Sequence, residues 1–166
     1  MIVYSDNYSY KLLMREMNAS PPLLAYFTFR DLDVLRMMLA PNADYVSILS
    51  YGNLFAVLYN TGYLSKDMSQ FALDLLSQSA FREGLVAGVP EGTVVAHKFG
   101  RRIPGEEDSE LHDCGIVYHP AMAYVLCVMT SGPDYTHQQA AISEVSRIVY
   151  DGITSLRMHD AQPMMR

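Results

Sequence analysis

Two short stretches of the sequence contain side chains that could carry out proton transfer. Ser5, Asp6 and Asn7 place a hydroxyl, a carboxylate and an amide in consecutive positions, and Lys98 lies in the stretch H-K-F-G. Serine hydroxyls and lysine amines serve as nucleophiles, general bases and proton relays in catalysis. Each stretch also has an ordinary explanation, because Ser and Asp are preferred helix caps and a Lys near a strand end is commonly a solvated edge residue.

The elements around these stretches predict an α+β fold. Helices are predicted directly after the triplet, after the start signal Ser20-Pro21, and after Ser65. Three later runs are short and rich in β-branched residues, and they predict antiparallel strands: TVVAHKFG, LHDCGIVYH and YVLCVMTSG. A further helix is predicted from Pro133 to Met158. We therefore expect helices packed on a three-stranded antiparallel sheet, with a long C-terminal helix.

Helical spacing also predicts which side chains face the core. In the helix after Ser65 the expected apolar stripe is Met68, Phe71, Ala72 and Leu75. In the last helix it is Ile142, Val145, Val149, Ile153 and Leu156.

Composition limits the classes of protein and partner. The 166 residues are 50% hydrophobic and 18% charged, which is enough for one domain with a core. The formal net charge of -6, and the lack of a basic cluster beyond Arg101-Arg102, argue against a nucleic-acid partner. No apolar run approaches the length of a membrane span, and the first residues do not read as a signal peptide. We expect a single domain over residues 1–166.

The two cysteines and the histidines have competing interpretations. Cys114 and Cys127 lie in runs predicted to be neighbouring strands, so they could face each other; two buried reduced thiols are favoured, and a disulfide stays open. His97, His112, Asp113, Cys114 and His119 are close enough in sequence to suggest a metal. Strand alternation separates Asp113 from His112 and Cys114, and no C-x-x-C or H-E-x-x-H spacing occurs. No metal site is predicted.

The order and spacing of the two stretches resemble the class A β-lactamase and penicillin-binding-protein family of serine hydrolases. That family carries S-x-x-K, then S-D-N, then K-T-G. Here S-D-N precedes a helix and H-K-F-G takes the place of K-T-G in the first strand, approached by a similar stretch, GLVAGVPEGTVVAHKFG. The resemblance covers nearly the whole chain. It implies a partial β-lactamase/transpeptidase-like fold that needs no cofactor and takes a small-molecule or peptide substrate.

The resemblance also implies roles for individual residues. Ser5 would relay a proton to the leaving group, and Lys98 would lie beside it and favour both this relay and an anionic substrate. Asn7 would bond the amide side chain of the substrate. Gly100 would let the substrate backbone approach the strand, and the backbone N–H of Arg101 would be one oxyanion donor.

Three departures from the family pattern qualify these roles. No Ser is followed by Lys three positions later, so the family's nucleophile is not in this sequence. Phe99 stands where the family offers a hydroxyl to the substrate carboxylate. The stretch LRMMLAPNADYVS contains no Glu to activate a deacylating water; its only carboxylate is Asp44, which is interpreted as a turn former or helix cap. The chain is thus expected to be the later part of a longer domain, with the S-x-x-K segment before it.

Three functions are compatible with these observations. The first is a serine hydrolase whose full-length form acts on a β-lactam, a peptidoglycan peptide or a related amide or ester through an acyl-serine. The second is a non-catalytic binding or interaction protein on the same fold, and the third is a structural role in which exposed core surface recruits a partner. Family members are typically secreted or periplasmic. An unpaired sheet edge predicts a homo-oligomer, unless the missing segment covers that edge.

Overall fold

A computed structural model describes residues 1–19, 47–103 and 109–160 of the chain. These residues form the following elements: α1 Asn7–Ala19, α2 Ile48–Tyr59, α3 Lys66–Ser77, β1 Val95–Arg102, β2 Ser109–Tyr118, β3 Ala123–Gly132 and α4 Tyr135–Asp160. A short 3-10 turn, Leu85–Gly88, precedes β1. The predicted α+β architecture and long last helix are confirmed. The predicted helix after Ser20-Pro21 and the stretch with Asp44 lie outside the described residues.

Each of the four described α-helices begins at a side chain that accepts backbone hydrogen bonds. The capping residues are Asp6, Ser47, Ser65 and Asp134. Such caps satisfy N–H groups that have no partner inside the helix. The cap predicted at Ser65 is confirmed by its hydrogen bond from the Met68 N–H, at 3.3 Å.

The strands form an antiparallel sheet in the order β1-β2-β3. Its register places Lys98, Cys114 and Cys127 directly opposite one another across the three strands. The Tyr118 N–H donates to the Val94 carbonyl at 3.0 Å. Every second residue of β1, counted from Val94, therefore forms backbone hydrogen bonds with β2. Because backbone groups alternate in direction along an antiparallel strand, those of Phe99 and Arg101 point away from β2. The outer edge of β1 therefore presents these N–H and C=O groups.

Two apolar clusters cover the two faces of the sheet. Strand residues Ala96, Cys114 and Ile116 pack with helix residues Phe55, Leu73 and Leu76 on one face, which we call the α2/α3 face. On the opposite face, the α4 face, Val95, Leu111 and Val117 pack with Phe81, Leu85 and Ile142. Since strand side chains alternate between faces, Lys98 and His112 belong to the α2/α3 face, and His97, Phe99 and Asp113 to the α4 face.

The predicted core stripes need correction. In α3 the buried residues are Ser69, Leu73 and Leu76, whereas Met68 and Phe71 are exposed. In α4 Ile142 is buried as expected, but Val145 and Leu156 are exposed. Both helices contact the sheet through a stripe that differs from the prediction, because several polar or small residues, such as Ser69 and Ser146, occupy core positions. Among the described helices, none is both long and apolar enough to cross a membrane.

Cys114 and Cys127 are joined as a disulfide, with their Cα atoms 4.0 Å apart. The prediction that the two residues could face each other is confirmed by the β2–β3 register. The favoured interpretation as two reduced thiols is wrong, since the two sulfur atoms are bonded to each other.

The turn Leu85–Gly88 lies in close contact with α4. The Ser146 hydroxyl donates to the Leu85 carbonyl at 2.8 Å. A Cβ atom added to Gly88 would lie 2.1 Å from the Ser143 carbonyl oxygen and 2.8 Å from the Arg147 nitrogen, both backbone atoms of α4. Only a residue without a side chain permits this approach.

Candidate active site

The amine of Lys98 lies next to the hydroxyl of Ser5. Lys98 Nζ donates to Ser5 Oγ at 2.5 Å, although the two residues are 93 positions apart. The predicted proximity of these side chains is confirmed. Their roles in a reaction stay predictions.

The backbone at Ser5 and the cap at Asp6 set the direction of the serine side chain. Ser5 has a φ of 50°, in the left-handed region that residues with a side chain rarely adopt, and such conformations cluster at functional sites. Asp6 accepts hydrogen bonds from the Ser9 side chain and backbone and from the Tyr8 N–H, which lower the pKa of its carboxyl group. Asn7, the first residue of α1, is exposed. Asp6 therefore caps the helix, while Ser5 meets Lys98.

Lys98 is held by several groups at the edge of β1. Its Nζ donates to the Phe99 carbonyl oxygen at 2.6 Å and lies 4.6 Å from the centroid of the Phe99 ring. Burial lowers the pKa of the Lys98 amine, and the Asp113 carboxylate partly offsets this by favouring the charged form. The site therefore contains a partly desolvated ammonium whose charge is directed toward Ser5.

Tyr51 is a site residue that the sequence reasoning missed. From α2, its hydroxyl donates to the Lys98 carbonyl oxygen at 2.6 Å, and burial raises the pKa of the phenol, with the charge of Asp113 adding to this. The hydroxyl is thus a hydrogen-bond donor that fixes the backbone of β1 at Lys98. A tyrosine in an apolar helical run is ordinarily core filling, so the sequence held no signal for this contact.

The remaining predicted residues follow Lys98 along β1. The Phe99 ring stacks on the Phe81 ring with centroids 4.3 Å apart. Gly100 leaves open space among the described residues, since a Cβ atom added there meets none of their atoms within 4 Å. The exposed guanidinium of Arg101 lies 4.1 Å from the centroid of the Tyr135 ring, and its backbone N–H lies on the outer edge of the strand. An extended ligand laid along this edge would meet the N–H and C=O groups of Phe99 and Arg101.

A buried hydrogen bond between a histidine and a carboxylate lies on the α4 face of the sheet. His97 Nδ1 is 2.8 Å from Asp113 Oδ1, and both side chains are fully buried. Asp113 Oδ2 accepts the Leu85 N–H at 2.9 Å. Sequence reasoning considered these two residues only as metal ligands. Within the described ranges, no three His, Cys, Asp or Glu side chains form a group that could hold a metal ion.

Known proteins resemble this chain in sequence pattern and in fold. The model of a family described as the beta-lactamase enzyme family matches residues 1–153. Among curated protein sequences, none is significantly similar to this chain.

Several solved structures share the fold. A variant of a reconstructed last common ancestor of the class A β-lactamases of Gram-negative bacteria is 23% identical, with a TM-score of 0.73 over 93% of this chain and 62% of that one. A β-lactamase from Chitinophaga pinensis is 23% identical, with a TM-score of 0.62 over 71% of this chain and 47% of the other. The protein PBP-A is 20% identical, with a TM-score of 0.61 over 78% and 50%. The chain thus spans about half to three fifths of the length of these structures.

Proposed function

Because the chain belongs to the beta-lactamase enzyme family, we propose that Ser5 and Lys98 form part of an acyl-serine hydrolase site. The complete site would act on a β-lactam, a peptidoglycan peptide or a related amide or ester. The observation that carries the proposal is the 2.5 Å hydrogen bond between Lys98 Nζ and Ser5 Oγ beside the open edge of β1. It joins two stretches whose order and spacing follow the family pattern.

In the proposed reaction each of these groups has one step. A serine outside these 166 residues would attack the substrate carbonyl carbon, forming a C–O bond and breaking the bond to the leaving nitrogen or oxygen. Since Lys98 donates to Ser5 Oγ, the serine's own proton is free to pass to the leaving group. Ser5 then regains a proton from the nucleophilic serine, which loses its hydroxyl proton in the attack. The Arg101 N–H would donate to the developing oxyanion.

The test uses both this chain and the longer protein that its gene encodes, if the DNA upstream of Met1 contains an in-frame Ser-x-x-Lys. The 166-residue chain is expected to hydrolyse no nitrocefin above background and to form no adduct with penicillin by intact mass, since it contains no Ser-x-x-Lys. In the longer protein, Lys98→Ala should slow acylation roughly 10²-fold or more, because the relay loses its charge. Lys66→Ala, an exposed lysine in α3, is the matched control.

Two results would contradict the proposal. The first is turnover by the 166-residue chain that Ser5→Ala abolishes, because Ser5 would then be the nucleophile rather than a relay. The second is unchanged acylation of the longer protein by the Lys98→Ala variant.

A non-catalytic binding protein is the second candidate function. Phe99 supports it, because a ring stacked on Phe81 cannot donate a hydrogen bond to a substrate carboxylate. The lack of Ser-x-x-Lys supports it as well. A start signal at Met1 with no upstream Ser-x-x-Lys would favour this candidate over the hydrolase.

Self-association through β3 is also part of the proposal. Among the described residues β3 pairs only with β2. Because hydrogen bonds alternate in direction along each strand, the N–H and C=O groups of Val125 and Cys127 point away from β2. Beside this edge runs an apolar groove of about 380 Å³, lined by Ile48, Leu49, Gly52, Asn53, Ala56, Val125 and Cys127. An unpaired edge next to exposed apolar side chains favours pairing with another chain.

We expect sedimentation equilibrium at micromolar concentration to show a dimer or larger assembly of the 166-residue chain. Val125→Lys should shift it toward monomer, because a charged side chain on an edge strand disfavours edge-to-edge pairing. Val94→Lys is the control, since Val94 is similarly exposed but lies just before β1. A wild-type monomer that unfolds cooperatively would show that the β3 edge needs no partner.

A further inference from the structure

We propose that Phe99 is a positioning residue for Lys98, and that its ring holds the lysine ammonium where the resembling hydrolases carry a hydroxyl. The inference rests on the proposed function, because it concerns the same Lys98. Phe99, which replaces the middle residue of K-T-G, would then have a function in the site and would not merely remove a contact to the substrate.

The contacts of Lys98 Nζ carry the inference. Three groups surround it: Ser5 Oγ at 2.5 Å, the Phe99 carbonyl oxygen at 2.6 Å, and the Phe99 ring with its centroid at 4.6 Å. Two of these groups belong to one residue, so the backbone and the side chain of Phe99 act on the ammonium together. Because the Phe99 carbonyl points to the outer edge of β1, the lysine side chain bends around that edge to reach it.

The Phe99 ring is itself held in place. Phe81 stacks on it with an interplanar angle of 25° and is only 6% exposed. With one face of the Phe99 ring covered by Phe81, the ammonium lies over the other face. Phe81 is fixed in turn by the cluster on the α4 face, which includes Leu85 and Ile142. The cation therefore meets a ring whose orientation is set by the core.

An aromatic ring suits this ammonium for a physical reason. Partial burial penalises the charge, and the negative face of a ring attracts a cation without occupying one of its N–H donors. A hydroxyl oxygen at residue 99 could instead accept a hydrogen bond from Lys98 Nζ and so compete with Ser5 Oγ. Two further polar groups are described near Lys98: the Tyr51 hydroxyl, which donates to the Lys98 carbonyl, and Asp113 on the opposite face of the sheet. The ring thus stabilises the ammonium while leaving it directed at Ser5.

The test is a nuclear magnetic resonance measurement on the chain with 13C-labelled lysine. Protons over the face of an aromatic ring are shifted upfield, so the ε-methylene signal of Lys98 should lie upfield of those of Lys11 and Lys66, which are exposed. Lys98→Arg assigns the signal. Phe99→Leu should abolish the upfield shift, and Phe99→Tyr, which retains a ring, should preserve it.

Phe71→Leu is the control, because Phe71 is an exposed phenylalanine of α3 and the ring contact to Lys98 belongs to Phe99. It should leave the Lys98 signal in place. A wild-type Lys98 signal coincident with those of Lys11 and Lys66, or a shift that survives Phe99→Leu, would overturn the inference. The measurement requires no substrate, so its failure is separate from that of the proposed function, which is judged by acylation of the Lys98→Ala variant.

Discussion

Replacing Asp113 with alanine should lower the free energy of unfolding by roughly 2–5 kcal/mol, because it leaves two buried N–H donors, those of His97 and Leu85, without an acceptor. Asp113 accepts hydrogen bonds from His97 at 2.8 Å and from the Leu85 N–H at 2.9 Å, and both it and His97 are fully buried. A typical domain has about 5–15 kcal/mol of stability in all. Urea unfolding followed by circular dichroism would measure the loss.

Two comparisons separate the pair from a general effect of charge removal. Glu144→Ala removes an exposed carboxylate paired with Arg147 on α4, and it should change stability far less, because solvent screens an exposed pair. In a double-mutant cycle, His97→Ala and Asp113→Ala together should cost clearly less than the sum of the single variants. Additive losses would show that the two side chains do not stabilise each other, and would contradict this account.

Gly88→Ala should destabilise the fold by roughly 3 kcal/mol or more, since overpacking against backbone cannot be relieved by moving a side chain. The added Cβ atom would lie 2.1 Å from the Ser143 carbonyl oxygen, within α4. The turn or the helix must therefore move, and the hydrogen bond from Ser146 to Leu85 would be lost with it. Thermal unfolding monitored by calorimetry would detect the effect.

Gly152→Ala, a substitution within α4 itself, should have the opposite effect on stability. A Cβ atom added to Gly152 meets nothing within 4 Å, and alanine is favoured over glycine in a helix by about 0.5–1 kcal/mol. This variant should therefore be more stable than the wild type. If both glycine variants changed stability in the same direction, the close approach of Gly88 to α4 would not explain why a glycine is needed there.

The sequence predicted the sheet because runs of β-branched residues are a strong local signal for strands. It predicted the proximity of Ser5 and Lys98 only through the resemblance to the serine hydrolase family, which carries both motifs. The core stripes of α3 and α4 were less predictable. Ser69 and Ser146 are buried polar residues, and helical periodicity of apolar side chains cannot identify them.

The contacts that fix the site were beyond sequence reasoning for a different reason. Tyr51 and Phe81 act on Lys98 and Phe99 from other elements, and their partners depend on how a helix and a loop approach β1. The hydrogen bond of His97 to Asp113 required both the register of β1 on β2 and the position of Leu85. Strand alternation correctly separated Asp113 from His112, but it could not show that a histidine on the neighbouring strand would be its partner.

The contact between Ser5 and Lys98 also bears on when the site can form during folding. It joins residues 93 positions apart, whereas the β2–β3 hairpin closes over a short turn at residues 119–122. The entropy lost on closing a loop grows with the length of the loop, and contacts between distant residues form slowly. The hairpin and the local hydrogen bonds that cap the helices can therefore form early, before the first residues of the chain reach the sheet. The paired hydroxyl and amine are assembled among the last contacts, so a chain that has begun to open loses this pair while much of its secondary structure persists.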